Sequence, residues 1–445
     1  MTDNYSHHSA TVSVISVIKT EFARFTYTAL VTIVWLLAML RWCILGLIRS
    51  KKFESRRLER YGQLGELKAE TKGGAWFHCV SVGEVVAASC VIKALLAKAP
   101  EHPIIITTTT STGAQRVVEI FGNASHVAHH YLPYDLPWLM QRFIRHIQPT
   151  QIMITEVELW PNLIHYAAKL NIPVTMINAR MTDKSARQYA KISWLFMPML
   201  THLDHVCAQG QRDYDAYLRL GVVPEKLTLT QNVKFDQVTD NRIPEDIKVF
   251  GDAIMAQGRK VLIAGSTHAD EEIFWLNVYQ YLSQECPELL LVLVPRHPQR
   301  FDEVQRLIEI QQLSLQRWEQ RMEINPQTQV LLVDAMGVLT PLYHCADIAF
   351  VGGSIADRGG HNALEPASMG VPVLMGAYIY NNPVICETLI QAGGLYIIKN
   401  ETDAIEQCQR WLKQPEIAHQ AGQKGLNVIE QNQGALGKTI DVIIK

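Results

Sequence analysis

Residues 352–374 read GGSIADRGGHNALEPASMGVPVL. They lie between two apolar runs of strand character, Ile348–Val351 and Val371–Leu374, which predicts strand, loop, helix, strand. Paired glycines, Arg358, His361 and Asn362 fill the loop, and a helix-compatible run carrying Glu365 follows. A glycine-rich turn lets backbone N–H groups approach a phosphate. The start of the next helix adds free amides and the positive end of a dipole. One turn further in, a carboxylate can accept both hydroxyls of a ribose. Chemistry on a nucleotide mono- or diphosphate needs these parts in this order. An ordinary strand–loop–helix connection accounts for Gly352 and Gly353 alone, but poorly for the whole string.

Outward from this stretch, short apolar runs alternate with helical patterns. Trp76–Val82, Pro103–Thr109, Ile152–Thr155, Val174–Ile177 and His205–Ala208 read as strands in the first half. Val261–Ala264, Leu289–Val294 and Val330–Val333 do so in the second. Helical runs fall between them at Val85–Ala97, Pro161–Leu170, Glu271–Leu282 and Pro298–Gln311. Continuous apolar strands separated by helices indicate parallel α/β sheets. A polar stretch with a proline, DQVTDNRIPE at 236–245, separates the halves. The expectation is two Rossmann-like domains facing across a cleft, with ligands at the carboxyl ends of the strands. Its boundaries are a tail and anchor over 1–50, a first domain over 51–236, a linker over 237–257 and a second domain over 258–445. The first strand is followed by Ser81, Val82, Gly83 and Glu84 rather than G-x-G-x-x-G, which argues against NAD or FAD.

A chain of 445 residues exceeds one ordinary core. Its composition, 48% hydrophobic and 19% charged with a net charge of −2, is that of a globular protein without chain-wide basic character, so nucleic acid is not an obvious partner. Eight scattered cysteines without a C-x-x-C pair suit a reducing compartment, and no zinc site is expected. From Phe25 to Ile48 the chain is almost wholly apolar or weakly polar, broken only by Arg41, and long enough to span a membrane. Arg49, Lys51, Lys52, Arg56, Arg57 and Arg60 follow, with Glu54 and Glu59 among them. Such a flank stays on the cytoplasmic side and attracts anionic lipid. The expectation is a membrane-anchoring helix holding the globular body at the cytoplasmic face of the inner membrane.

Several strand ends carry reactive groups. Glu84 opens a helix, where a carboxylate can take a proton from a hydroxyl or merely stabilise the dipole. Glu156 and Glu158 flank a strand end before Pro161, and both can face one side if the strand persists. Glu156, nearer the end, is the stronger candidate. Lys234 lies near the junction as a solvated charge or a phosphate counter-charge. Gly265, Ser266 and Thr267 suit phosphate contact. Arg296 and His297 follow the next strand and can meet a phosphate or a base edge.

The strings HCVSVGE, TEVELWPN, NVKFD, AGSTH, VPRHP, DAMGVL, FVGGS and RGGHNALEPA run in order from about residue 55 almost to the C-terminus. In them the chain resembles the 3-deoxy-D-manno-octulosonic acid (Kdo) transferases, membrane-associated GT-B glycosyltransferases of lipopolysaccharide synthesis. The resemblance implies CMP-Kdo as donor, and as acceptor a lipid A precursor (lipid IVA) with a free 6′-hydroxyl. It implies inversion by direct displacement, with no cofactor or metal. It makes Glu84 the general base, and gives Glu156 and Lys234 to the transition state. It assigns CMP contacts to Arg296, His297, Met336, Gly337, Val338, Asn362, Ala363, Leu364 and Glu365. Two departures stand out. Val338 replaces an acid common in the family, which implies backbone contact there. Residues 378–382 read YIYNN where aromatic residues around Asn-Phe are usual. Two rival expectations remain: a membrane-anchored binding protein without turnover, and a sugar-nucleotide epimerase on the same fold.

Overall fold

The computed structural model describes residues 21–40, 55–65, 69–238, 243–319 and 324–444. Contacts divide the chain into two compact units. Unit 1 is Met1–Asp236 with Gly434–Lys445, and unit 2 is Gln237–Gln433.

Unit 1 begins with helix α1 (Glu21–Leu40). Then follow β1 (Ala75–His78), α2 (Val82–Lys98), β2 (Ile104–Thr108), α3 (Ser111–Phe121), β3 (Val127–Tyr131), α4 (Pro137–Ile147), β4 (Gln151–Thr155), α5 (Pro161–Lys169) and β5 (Val174–Ala179). The unit continues through α6 (Asp183–Lys191), α7 (Ser193–Thr201), β6 (His205–Ala208), α8 (Gln211–Arg219) and β7 (Leu227–Leu229). The sheet is parallel in the order β3-β2-β1-β4-β5-β6-β7. Alternate residues supply its two faces. Trp76, Ile105, Ile152 and Ile154 enter one buried layer, and Phe77, Ile104, Ile106 and Met153 the other.

Unit 2 runs α9 (Glu245–Ala256), β8 (Lys260–Thr267), α10 (Ala269–Glu285), β9 (Leu289–Pro295), α11 (Phe301–Ile310), β10 (Leu315–Arg317), β11 (Val330–Leu332) and α12 (Leu339–Leu342). It closes with β12 (Ile348–Val351), α13 (Leu364–Ser368), β13 (Val373–Met375), α14 (Pro383–Ala392), β14 (Leu395–Ile397), α15 (Glu401–Lys413) and α16 (Pro415–Asn432). Its sheet, also parallel, has the order β10-β11-β9-β8-β12-β13-β14. In an open parallel sheet, ligands bind where the strand order reverses. Those points lie between β1 and β4 in unit 1, and between β8 and β12 in unit 2.

The structure departs from the expected boundaries at two places. The span 237–257 contains α9, whose Ile247, Phe250 and Ile254 are buried with Val261 and Ile263 in the unit 2 core; residues 239–242 lie outside the described residues. The second domain also ends before residue 445. Helix α17 (Ala435–Ile443) buries Ala435, Ile440 and Ile443 against Phe77 and α2 of unit 1. The Asp236 carboxylate fixes the return, accepting from Gly434 N at 2.8 Å and Leu436 N at 2.6 Å.

Helix α1 is long and apolar enough to cross a bilayer. The rest of the expected anchor (41–48) and Arg49, Lys51, Lys52 and Glu54 lie outside the described residues. One face of α1 docks on unit 1. Ala23 is buried, Arg24 Nη1 donates to Asn162 Oδ1 at 3.4 Å, and Asn162 Nδ2 donates to Thr28 Oγ1 at 3.1 Å. Tyr27 hydrogen-bonds the buried Asp135 carboxylate, and Trp35 meets Trp138 edge-on at 6.2 Å. Phe22, Phe25, Leu30, Ile33, Val34, Leu37 and Leu40 are exposed.

Candidate active site

The unit 1 site forms on the loops after β1 and β4, the two strands at the reversal. Ser81 caps α2, and Glu84 is the third residue of that helix. The Glu84 carboxylate reaches back to accept from Val80 N (2.7 Å), Ser81 Oγ (2.8 Å) and Ser81 N (3.3 Å), while Ser81 Oγ accepts from Glu84 N at 3.4 Å. This reciprocal cap fixes the carboxylate in one place. Glu84 is only 6% exposed. Burial raises its carboxyl to about 7 despite the Val80 and Ser81 hydrogen bonds, and the charges of Glu156 and Glu158 add to the rise. One side chain thus both caps α2 and carries a raised carboxyl.

The strand β4 does not persist through both acids. It ends at Thr155, and Glu156 takes φ 62° with its N–H donating to Ile177 O at 3.0 Å. Alternation along a strand therefore does not orient the pair. Glu158 nevertheless stays near Glu156: burial raises its carboxyl, and the Glu156 charge raises it further. Asn178 (φ 51°) and Gln231 (φ 74°) hold the same left-handed conformation after β5 begins and after β7. Non-glycine residues adopt it at a cost of roughly 1 kcal/mol, and they concentrate at functional sites.

Lys234 comes to the same edge. Its ammonium lies beside the first turn of α2, where a Cβ built on Gly83 would stand 3.8 Å from Nζ. Burial pushes its pKa down, while Glu156, Cys90 and Glu84 oppose the shift and Arg180 adds to it. A chain of side-chain amides sets the backbone beneath it. Gln209 Nε2 donates to Asn178 O at 2.7 Å, and Asn232 Nδ2 donates to Gln209 Oε1 at 3.3 Å. Asn178 Oδ1 accepts from Val233 N at 3.2 Å, and Asn232 Oδ1 from Lys234 N at 3.1 Å. Glu84, Glu156 and Lys234 are therefore one electrostatic group. Arg180 and the amide chain were not singled out from sequence, because separate strand ends bring them together.

The unit 2 candidates line the carboxyl ends of β8, β9, β11 and β12. Arg296 and His297 are exposed after β9, and Met336 and Gly337 (φ 83°) are exposed after β11, with Val338 half-buried. Glu365 is half-buried. It accepts from Thr340 Oγ1 at 3.0 Å and Asn362 Nδ2 at 3.2 Å, and burial raises its carboxyl against those bonds and the Arg296 charge. Ala363 and Leu364 are buried and offer backbone only. The expected helix here is the five-residue α13, ended by Gly370 at φ 69° and Pro372. Of the phosphate candidates, Ser266 (φ 54°) is half-buried. Thr267 is fully buried with its hydroxyl on Val294 O, and Gly265 packs under Tyr343, whose hydroxyl a Cβ would overlap. Sequence reasoning passed over Glu271, which binds the loop after β12 to α10. Its buried carboxylate accepts from the amides of Gly353 (2.8 Å), Ser354 (3.0 Å), Ile355 (2.9 Å), Ala356 (3.2 Å) and His268 (3.0 Å).

The UDP-GlcNAc 2-epimerase of Neisseria meningitidis, solved with UDP-GlcNAc bound, has a TM-score of 0.50 at 14% identity, covering 83% of this chain and 99% of that one. That likeness shows the fold alone, a GT-B fold. A solved C-terminal CMP-Kdo binding domain of WaaA from Acinetobacter baumannii is 31% identical with a TM-score of 0.39, covering 41% of this chain and 97% of that one. The family profile described as 3-Deoxy-D-manno-octulosonic-acid transferase (kdotransferase) matches residues 55–237. The 3-deoxy-D-manno-octulosonic acid transferase of Haemophilus influenzae is 37% identical over 423 residues, 94% of this chain and 98% of that protein. Identity of that extent, on a chain whose acids and lysine meet at one sheet edge, places it in the family: the chain belongs to the 3-deoxy-D-manno-octulosonic acid (Kdo) transferases, which are glycosyltransferases.

Proposed function

We propose that this Kdo transferase moves Kdo from CMP-Kdo to the 6′-hydroxyl of a lipid A precursor, lipid IVA, by one inverting displacement with Glu84 as general base. The observation that carries this reading is the Glu84 carboxyl, held in place by its cap, raised to about 7 and grouped with Glu156 and Lys234. An acid in that range is about half ionised at neutral pH and basic enough to accept a hydroxyl proton. The acceptor oxygen bonds to the anomeric carbon as the bond to the CMP phosphate breaks. The electron pair leaves with CMP, and the hydroxyl proton goes to Glu84. Lys234 and Glu156 stabilise the charge that develops. In unit 2, Glu365 suits a ribose diol, and Arg296 and His297 suit the phosphate. Incubation with CMP-Kdo and lipid IVA, read by mass, tests the reading. An acceptor heavier by one or more Kdo units supports it. An unchanged acceptor leaves a binding protein, and an isomerised sugar nucleotide an epimerase.

Replacing Arg296 or Glu365 with alanine is expected to weaken CMP binding about ten- to a hundred-fold, since loss of a charged hydrogen bond costs roughly 1.5–3 kcal/mol. Unchanged affinity in both variants, measured by calorimetry, contradicts the donor contacts.

Contacts from Ala23 to Trp35 hold about 18 Å of α1 alongside unit 1, at 1.5 Å per residue, too much of the helix to lose from a ~30 Å crossing. The helix therefore lies in the cytoplasmic leaflet of the inner membrane, with Phe22, Phe25, Ile33 and Leu37 toward lipid. Replacing Ile33 and Leu37 together with glutamine is expected to weaken vesicle binding about ten-fold or more. An N-terminal tag should be digested from the same vesicle face as the globular units. Protection of the tag from protease on that face would show a spanning helix instead.

A further inference from the structure

The reversal point of the unit 2 sheet gathers side chains that the donor contacts above leave out. His268 follows β8 and His361 follows β12, and their Nε2 atoms lie 3.1 Å apart with the rings nearly parallel, 11° between planes. His297 stands edge-on to His268 at 5.4 Å. Burial pushes the His268 pKa down, Glu271 opposes the shift, and His297, Arg358 and Arg296 add to it; Arg296 and His297 also act on His361. Three carboxylates are near: Asp357, beside Arg358 in the chain, accepts from Tyr380 Oη at 2.9 Å. Glu271 has its oxygens filled by five backbone amides, and Glu365 is bound to Thr340 and Asn362. Gly353, at φ 70°, leaves room for the His361 ring, since a Cβ there would lie 3.0 Å from it. Among the described residues, three imidazoles and two guanidiniums therefore gather beside carboxylates that already hold hydrogen bonds. A cluster of that kind suits an anion.

We infer that the His268–His361 pair, with Arg358, holds an anionic group of the nucleotide donor and takes up a proton as the anion binds. This rests on the donor reading above. In an Nε2–Nε2 hydrogen bond one ring donates and the other accepts, so the neutral pair has a single Nδ1–H to offer. One added proton keeps that bond, creates a second Nδ1–H and gives the pair a positive charge. Burial and then the charges of Arg296, His268 and His297 push His361 down to about 4, so the pair holds no added proton at neutral pH. A bound phosphate reverses the local field and favours it. Affinity then rises as pH falls, and CMP leaves as the proton leaves.

The test is calorimetry of CMP binding to the full-length, detergent-dispersed protein at pH 7.5, in two buffers of different ionisation heat. At that pH the CMP phosphate is already a dianion, its second pKa being about 6. Net proton uptake is expected for the wild type. His361→Gln and His268→Gln should bind CMP about ten-fold more weakly and without uptake. His268, half-buried and at the start of α10, serves if the His361 change disturbs folding. Arg358→Gln should weaken binding and keep the uptake. Wild-type binding with no proton taken up overturns the inference, as does uptake that persists in both histidine variants. A folded wild type that does not bind CMP at all defeats the donor reading, and this inference with it.

Discussion

Glu84→Gln is expected to lower Kdo transfer about 10²–10⁴-fold, the usual contribution of a general base, while CMP binding in unit 2 stays intact. Gln keeps the size of the side chain and one oxygen for the cap, but it cannot accept the hydroxyl proton. The wild type should show an acid limb in kcat/KM near pH 7, because burial raises the Glu84 carboxyl to about that value and only the ionised form is a base. Below it, activity falls about ten-fold per pH unit. The same shift links to stability. The folded state raises this carboxyl from an ordinary 4.5, so it binds the proton more tightly than the unfolded chain does. Between about 4.5 and about 7 the wild type therefore loses stability as pH rises, and the Gln variant should lack that component. Activity of Glu84→Gln within three-fold of wild type would remove Glu84 from the chemistry.

The strands that were legible in the sequence are the central ones. Leu289–Pro295 and Ile348–Val351 read as strands because both faces of a parallel sheet are covered, which leaves no polar residue to break the run. Strand β3, VAHHY, escaped because its polar residues are paired inside: His129 Nε2 meets Thr108 Oγ1 at 2.9 Å. Strands β7, β10 and β14 are three residues each and only partly buried, whereas β11 and β13, equally short, are fully buried and read as apolar runs. The candidate site divides in the same way. Glu84 and Glu156 were readable because each follows a readable strand, and Arg296 for the same reason. The contact of His268 with His361 was not, since 93 residues separate them and only the pairing of β8 with β12 joins them. The return of α17 to unit 1 was hidden likewise, because it depends on the Asp236 carboxylate meeting amides 198 and 200 residues away.

Lys234→Met is expected to lower kcat by about 10²–10³-fold with little change in donor KM, the scale seen when one preorganised charge donor is lost. The lysine is placed for that role. Its ammonium stands beside Gly83 at the start of α2, one residue before the base, and the amides of Asn178, Gln209 and Asn232 fix the backbone that carries it. Burial acts against the charge and Glu156 acts for it, so the ammonium is desolvated, and a desolvated charge counts for more in the transition state than one in water. Met fills the stem volume and isolates the loss of charge. Arg is not expected to rescue, because its wide planar guanidinium cannot occupy the place of a compact ammonium. A second readout separates chemistry from scaffolding. Removing a positive charge next to Glu84 favours the protonated carboxyl, so the acid limb of kcat/KM should move to higher pH in Lys234→Met. A lysine that only braces the fold would lower the melting temperature and leave that limb in place. A variant with kcat within three-fold of wild type and an unmoved limb would exclude Lys234 from the transition state, and Glu156 would then be the group to replace next.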